Sequence, residues 1–195
     1  MSAPQSPHLI LASASPRRLS LLAQIGITPD EVIPADINED PIAGELPRAH
    51  ALRLATEKAI AISGAHPGSI VLGSDTVVGV GRRILPKTEM RDEAKYCLKH
   101  MSGRAHRVFT AVAVVDMDGI VRTRLSETRV KFKRLSDAEM ADYLDSSEWQ
   151  GKAGGYGIQG KAGAYIQHLS GSYTGVVGLP LFETRNLLTG AGYPI

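Results

Sequence analysis

One cysteine, Cys97, stands in 195 residues, so no intrachain disulfide framework can form and no thiolate cluster can hold a metal. Aromatic residues make up 5%, which is sparse for the stacking platforms that bind single-stranded nucleic acids. Neither sign of charge dominates: 22 Lys and Arg against 20 Asp and Glu leave a net charge of +2, too weak for a basic nucleic-acid face. No apolar run has the length of a membrane span, and the first residues lack the basic and apolar regions of a secretory signal. Internal repeats and low-complexity linkers are missing as well. These absences lead to the expectation of a soluble, cytoplasmic protein without membrane or nucleic-acid partners. With 43% hydrophobic residues it can bury a core as one domain, residues 1–195, or as two lobes around one cleft.

Three stretches carry chemistry. Residues 8–26 read as a short buried strand, a serine-rich loop and an amphipathic helix with Ser15 as N-cap, Pro16 at its first position, Leu19 and Leu22 on one face and Gly26 as its stop. Arg17 and Arg18 then fall in the first turn, where the helix dipole disfavours each cation by roughly 0.3–1 kcal/mol unless an anion is bound. Helix-start N–H groups, small residues and two guanidinium forks together suit a phosphate. Taken alone, the pair reads more readily as a solvated surface feature, and the rest of the chain reverses that preference.

The second stretch, residues 69–78, is an apolar run expected to be a central strand, interrupted by Asp75. A carboxylate there must pair, bind a metal or cap a turn of Ser74, Asp75 and Thr76. Before it, the polar loop 35–41 carries Glu39, which could share a metal with a phosphate if the loop folds back over the arginines. The helix expected over 48–63 has Leu52, Ala55, Ala59 and Ile62 at helical spacing, with Lys58 at the border, where a lysine ordinarily snorkels. A hairpin-like piece, 79–87, delivers Lys87. The third stretch, 149–160, is glycine-rich and lets a ligand approach the backbone. Its Gly155, Gly157 and Gly160 satisfy G-x-G-x-x-G, but no strand before, helix after or distant acid supports a dinucleotide site, and no P-loop is present. Elsewhere the pattern predicts a helix over 89–101, a strand pair 108–116 and 121–132, a helix capped by Ser136 and Glu139, strands at 164–169 and 173–177, and a last helix over 180–188.

In this order the three stretches resemble the Maf family of nucleoside triphosphate pyrophosphatases, sometimes named septum formation inhibitors. LASASPRR (11–18) is similar to the family's opening signature, GSDTVV (73–78) to its central motif and KAGGYGIQG (152–160) to its third, with SGRAH (102–106) and VVGLP (176–180) also fitting. The resemblance covers nearly the whole chain. It implies an elongated, inosine-triphosphatase-like α/β fold with a curved mixed sheet and a deep cleft between two lobes, often as a homodimer. It further implies hydrolysis of a nucleoside triphosphate, dTTP or UTP in the pyrimidine branch, to the monophosphate and pyrophosphate with a divalent cation, Mg²⁺ or Mn²⁺. Carried over by residue, Asp75 matches the catalytic carboxylate; Arg18, Thr76 and Gln159 fall on positions tied to substrate choice; Ser13, Arg17, Glu39, Lys58 and Lys87 fall on polar cleft positions. Glu39 and Asp75 are the metal-ligand candidates. The chain departs from the family at Gly151, where aspartate is common, and at Thr88, where proline is common. Two alternatives stay open: the branch credited with 7-methyl-GTP, which typically has glutamate in place of Gln159, and a non-enzymatic, nucleotide-binding regulator of septum formation. Intact Asp75, Arg18, Lys58 and Lys87 argue against the latter.

Overall fold

Four consecutive apolar residues, Leu9–Ala12, form strand β1, buried on both faces as parallel strands usually are. The computed structural model describes residues 7–195; the reading of an absent secretory signal rests partly on residues 1–6, which lie outside it. In chain order the elements are β1 (Leu9–Ala12), α1 (Pro16–Gln24), β2 (Glu31–Val32), α2 (Pro47–Ser63), β3 (Ile70–Val80), β4 (Arg83–Leu85), β5 (Lys87–Thr88) and α3 (Arg91–Met101). They continue with β6 (Ala105–Val115), β7 (Val121–Phe132), α4 (Asp137–Asp145), β8 (Lys152–Ala153), a 3-10 turn over Lys161–Tyr165, β9 (Ile166–Ser170), α5 (Tyr173–Val177) and α6 (Leu181–Gly190).

The architecture is mixed α/β. A seven-stranded sheet runs β2-β1-β3-β6-β7-β9 with β4 added to β3, and β5 pairs separately with β8. β1 is parallel to β2 and β3; from β3 onward the pairings are antiparallel. Alternation along the strands divides the core. Leu9, Leu11, Ile70, Leu72, Val112 and Val114 meet α1 and α6 on one face, while Ile10, Ala12, Val71, Ala111 and Ala113 meet Ala51, Ala55 and Ala59 of α2 on the other. Farther along, Val78, Val108, Val130 and Phe132 pack with α3, α4 and the segment from Trp149 to Tyr165.

Three expectations need correction. Residues 173–177 form helix α5 and not a strand: the Ser172 hydroxyl accepts from the Gly175 amide at 2.9 Å, an N-cap that outweighs the β-branched run. On α1 the buried residues are Leu21 and Leu22, and Leu19 is exposed, because the helix lies on the sheet one residue away from the spacing read. On α2 the buried stripe passes through His50, Ala51, Leu54, Ala55, Lys58 and Ala59, leaving Leu52 and Ile62 on its flanks. Alanines face the sheet because α2 lies unusually close to it: a Cβ on Gly73 would fall 2.5 Å from the Ala55 carbonyl oxygen and 2.9 Å from the Ala59 amide nitrogen. Gly73→Ala is therefore expected to cost about 1–3 kcal/mol by overpacking. A chemical-denaturation midpoint equal to wild type would show that α2 can retreat freely.

The register leaves a notch in the sheet. β1 ends with Ala12 opposite Gly73, and β4 begins pairing at Val78 with Leu85, so Ser74, Asp75, Thr76 and Val77 have no partner strand on that edge. The notch lies just beyond the carboxyl end of a parallel strand, where α/β sheets commonly bind ligands.

Candidate active site

A cleft of about 570 Å³ opens at this notch, and Ser13, Arg17, Arg18, Glu39, Lys58, Asp75, Thr76, Lys87 and Gln159 all line it. Asp75 lies mid-strand, not in a turn, paired in register with Ala111. Strand alternation puts it on the α2 face with Gly73. The close approach at Gly73 brings Lys58 to it: Lys58 Nζ donates to Asp75 Oδ1 at 2.7 Å and also meets Glu39 Oε1 at 2.6 Å. Lys58 and Asp75 are each 7% exposed. The lysine does not snorkel into solvent; it neutralises two carboxylates whose mutual repulsion would otherwise keep them apart.

Glu39 reaches this point because the loop folds back over the cleft. Burial would raise its pKa, but the hydrogen bond from Lys58 and the charges of Lys58, Lys87 and Arg18 leave it lowered, so it is ionised at neutral pH.

The arginine pair is divided in use. Arg18 is fixed: its Nε donates to the Gly178 carbonyl at 2.9 Å and its Nη1 to Ser13 Oγ at 3.0 Å. Burial lowers the Arg18 pKa, Asp75 opposes this, Arg17 adds to it and Glu39 opposes it. Arg17 is half-buried, with its pKa lowered by burial. Ser15 is the N-cap residue, but its side chain makes no capping bond; instead its amide donates to Ser13 Oγ at 3.1 Å. The start of α1 thus lines the cleft with Ser15, Pro16, Arg17 and Arg18, but Pro16 has no N–H and the Ser15 and Arg18 amides are already bonded, to Ser13 Oγ and to the Ser15 carbonyl.

Thr76, on the other face of β3, lies 3.2 Å from the Thr110 hydroxyl, which donates to the Gly175 carbonyl at 2.7 Å. Lys87 and Gln159 are exposed on the cleft's rim. The third motif bends at Gly154 and Gly155, both at φ 68°, a left-handed conformation that glycine adopts without strain.

Several contributors were not among the site candidates read from the sequence. Lys152 lines the cleft, donates to the Glu148 carbonyl, and has its pKa lowered by burial and by Arg17. Its lysine-glycine context carried the signal, but a lone cation in a loop has none of its own. Thr88, which departs from the family pattern, donates to the Trp149 carbonyl at 2.7 Å and so ties β5 to the third motif. Tyr156 is buried with its hydroxyl 2.7 Å from His106 Nε2, and burial pushes the His106 pKa down to about 4. That histidine therefore stays neutral at physiological pH.

Among the described residues no three His, Cys, Asp or Glu gather as a metal cage. Glu39 and Asp75 nevertheless fit a hard cation of the Mg²⁺ kind, which is commonly held by one or two carboxylates completed by substrate phosphates. Each gives one oxygen to Lys58 and keeps the other for such a role.

Among the described residues no helix is long and apolar enough to cross a membrane. A family model described as "Maf-like protein" matches residues 8–191. A Caulobacter vibrioides protein named dTTP/UTP pyrophosphatase is 62% identical over 187 residues, covering 96% of this chain and 97% of that one. A Maricaulis maris protein of the same name is 60% identical, covering 97% and 90%. Among solved structures, a nucleoside-triphosphatase, or dITP/XTP pyrophosphatase, from Mycobacterium abscessus is 18% identical with a TM-score of 0.44, covering 65% of this chain and 73% of that one. With a family match over nearly its full length and relatives this similar end to end, the chain belongs to the Maf-like protein family.

Proposed function

We propose that this protein is a nucleoside triphosphate pyrophosphatase that hydrolyses dTTP and UTP to the nucleoside monophosphate and pyrophosphate. The observation that carries the reading is the meeting of Asp75 and Glu39 on Lys58 inside a cleft that Arg17, Arg18 and Lys87 also line. Highly similar relatives named dTTP/UTP pyrophosphatase support the substrate class.

Attack at the α phosphate must overcome the negative charge of the triphosphate. Arg17, Arg18, Lys58 and Lys87 offset that charge, and those nearest the leaving pyrophosphate stabilise it as the bridging bond breaks. A water oxygen bonds to the α phosphorus while the bond from that phosphorus to the oxygen bridging to the β phosphorus breaks. Asp75 takes the water proton, while Lys58 Nζ donates to its Oδ1 at 2.7 Å and holds the carboxylate in place. Glu39 and Asp75 would hold a divalent cation, which when bound supplies Lewis-acid stabilisation of phosphate oxygens. Ser13 orients Arg18, whose guanidinium then meets phosphate oxygens. Thr76 and Gln159 line the cleft as the side chains for substrate choice.

Pyrophosphate release from dTTP and UTP by purified protein is the direct test, and its absence across a nucleotide panel would end the reading. A second measurement addresses Arg18. A ligand that binds only the folded state at a hundredfold its Kd adds about 2.7 kcal/mol of stability. For a chain of this size that is several degrees, at about 2–4 °C per kcal/mol. A dTTP analogue with a non-hydrolysable α,β link is expected to raise the wild-type Tm by this amount and the Arg18→Ala Tm much less. Equal shifts would remove Arg18 from the site.

A further inference from the structure

The loop between β2 and α2, residues 33–46, contains no strand or helix, yet it supplies Glu39, Asp40 and Pro41 to the cleft. Holding such a segment in one conformation costs backbone entropy, so it needs anchors. Lys58 is one, and it lies inside the site. The others converge on Arg53, five residues earlier on α2. Arg53 Nε donates to Glu45 Oε1 at 2.8 Å, and its Nη2 donates to Glu45 Oε2 at 2.9 Å and to the Asp40 carbonyl at 3.0 Å. Glu45 Oε2 also accepts from the Ile42 amide at 3.0 Å and lies 2.8 Å from His50 Nδ1. One guanidinium fork thus closes both ends of the 40–45 turn against the helix that carries Lys58.

Neither Arg53 nor Glu45 lines the cleft. A largely buried ion pair is a weak device for stability, because desolvation cancels most of its attraction, but it enforces one geometry. The carboxylate side chain is 9% exposed. The hydrogen bond from Arg53 leads the effects that, against burial, hold the Glu45 pKa down to about 2, so the pair is ionised throughout the neutral range. Stability from this carboxylate is complete above its ordinary 4.5 and is lost only as pH falls from there toward 2.

We propose that Arg53 and Glu45 are positioning residues for the reaction: their fork fixes the Asp40 carbonyl and so places the adjacent Glu39 carboxylate over Lys58 and Asp75. The proposal rests on the reading of Glu39 as part of the triphosphate site. It follows that Arg53 acts through Glu39 and becomes dispensable when Glu39 is already disabled.

The test is a double-mutant cycle. Arg53→Lys keeps the charge and loses the planar fork. Glu45→Gln keeps the size and is the second variant should the first fail to fold. Each is made alone and with Glu39→Gln, and kcat and KM for dTTP are measured beside hydrogen exchange of residues 38–46. Misplacing a reacting group by about 1 Å costs on the order of a hundredfold. Arg53→Lys alone is expected to lower kcat ten- to a hundredfold on that scale and to speed exchange in 38–46. In the Glu39→Gln background it should cost less than about twofold more, since residues that act as a unit are not additive. Equal factors in both backgrounds, or unchanged exchange in 38–46, would overturn the positioning role alone. Wild-type turnover by Glu39→Gln would overturn it together with the reading of Glu39. Should the wild type release no pyrophosphate, the functional reading fails, and the exchange measurement decides whether the fork anchors the loop.

Discussion

Asparagine at position 75 is expected to lower turnover by roughly 10²–10⁴-fold, the range for loss of a general base, while the protein stays folded. The substitution keeps the side-chain size in the middle of an eleven-residue strand paired with β6, so the backbone has no reason to move. What changes is charge. The amide oxygen can still accept from Lys58, but it cannot take a proton from water and is a poor partner for a hard cation. Stripping one partner from a buried ion pair ordinarily costs about 3–5 kcal/mol. Here Lys58 retains Glu39 at 2.6 Å, so the loss should be smaller. Steady-state pyrophosphate release measured beside a circular-dichroism melt separates the two effects. Wild-type turnover in a folded Asp75→Asn protein would reduce the carboxylate to a counter-ion of Lys58.

Gln159→Glu is expected to lower kcat/KM for dTTP by about ten- to a hundredfold, corresponding to roughly 1–3 kcal/mol of transition-state binding. Gln159 stands at the cleft rim beside Gly157, where an added Cβ would lie 3.4 Å from its Nε2. Thymine and uracil present an N3–H donor between two carbonyl acceptors, and an amide supplies one acceptor and one donor to that edge. An ionised glutamate offers acceptors only, so one base carbonyl loses its donor and faces a negative charge instead. Cytosine reverses two of the positions. The amide alone could flip to suit it, so backbone groups of the 154–160 segment must complete the discrimination against dCTP. Guanine has N–H groups that can donate to a carboxylate, so GTP should lose less than dTTP. If the variant hydrolyses dTTP as well as wild type, Gln159 does not read the base.

Local chemistry made the start of α1 legible: Pro16 after a small-residue stretch places it, and the two arginines of its first turn do line the cleft. The third motif was legible for the same reason, since glycine density marks close backbone approach. Asp75 was only half legible: a Ser-Asp-Thr sequence suits a turn, and the continuous pairing of β3 with β6 from Val71 to Gly79 keeps it in the strand. Lys58 was not legible from α2, because its burial follows from Gly73 pressing against Ala55 and Ala59, a contact between distant segments. Arg53 and Glu45 sit on a helix and in the loop before it, and no periodicity links them. The expected strand at 173–177 failed because a serine cap outweighed side-chain preference over five residues.

Arg18 is held by a carbonyl that lies 160 residues away in the chain, at Gly178. Ribosomes add about 5–20 residues per second, so the guanidinium precedes its holder by roughly 8–30 s of synthesis. Ser74 on β3 donates to the same carbonyl at 3.3 Å, so the central strand too lacks part of its final support until then. Arg18 thus acquires this part of its fixed orientation only once Gly178 has been made. An emerging chain has its motifs in sequence without having the assembled cleft, and chains that stop before Gly178 are left with a guanidinium held by Ser13 without the Gly178 carbonyl.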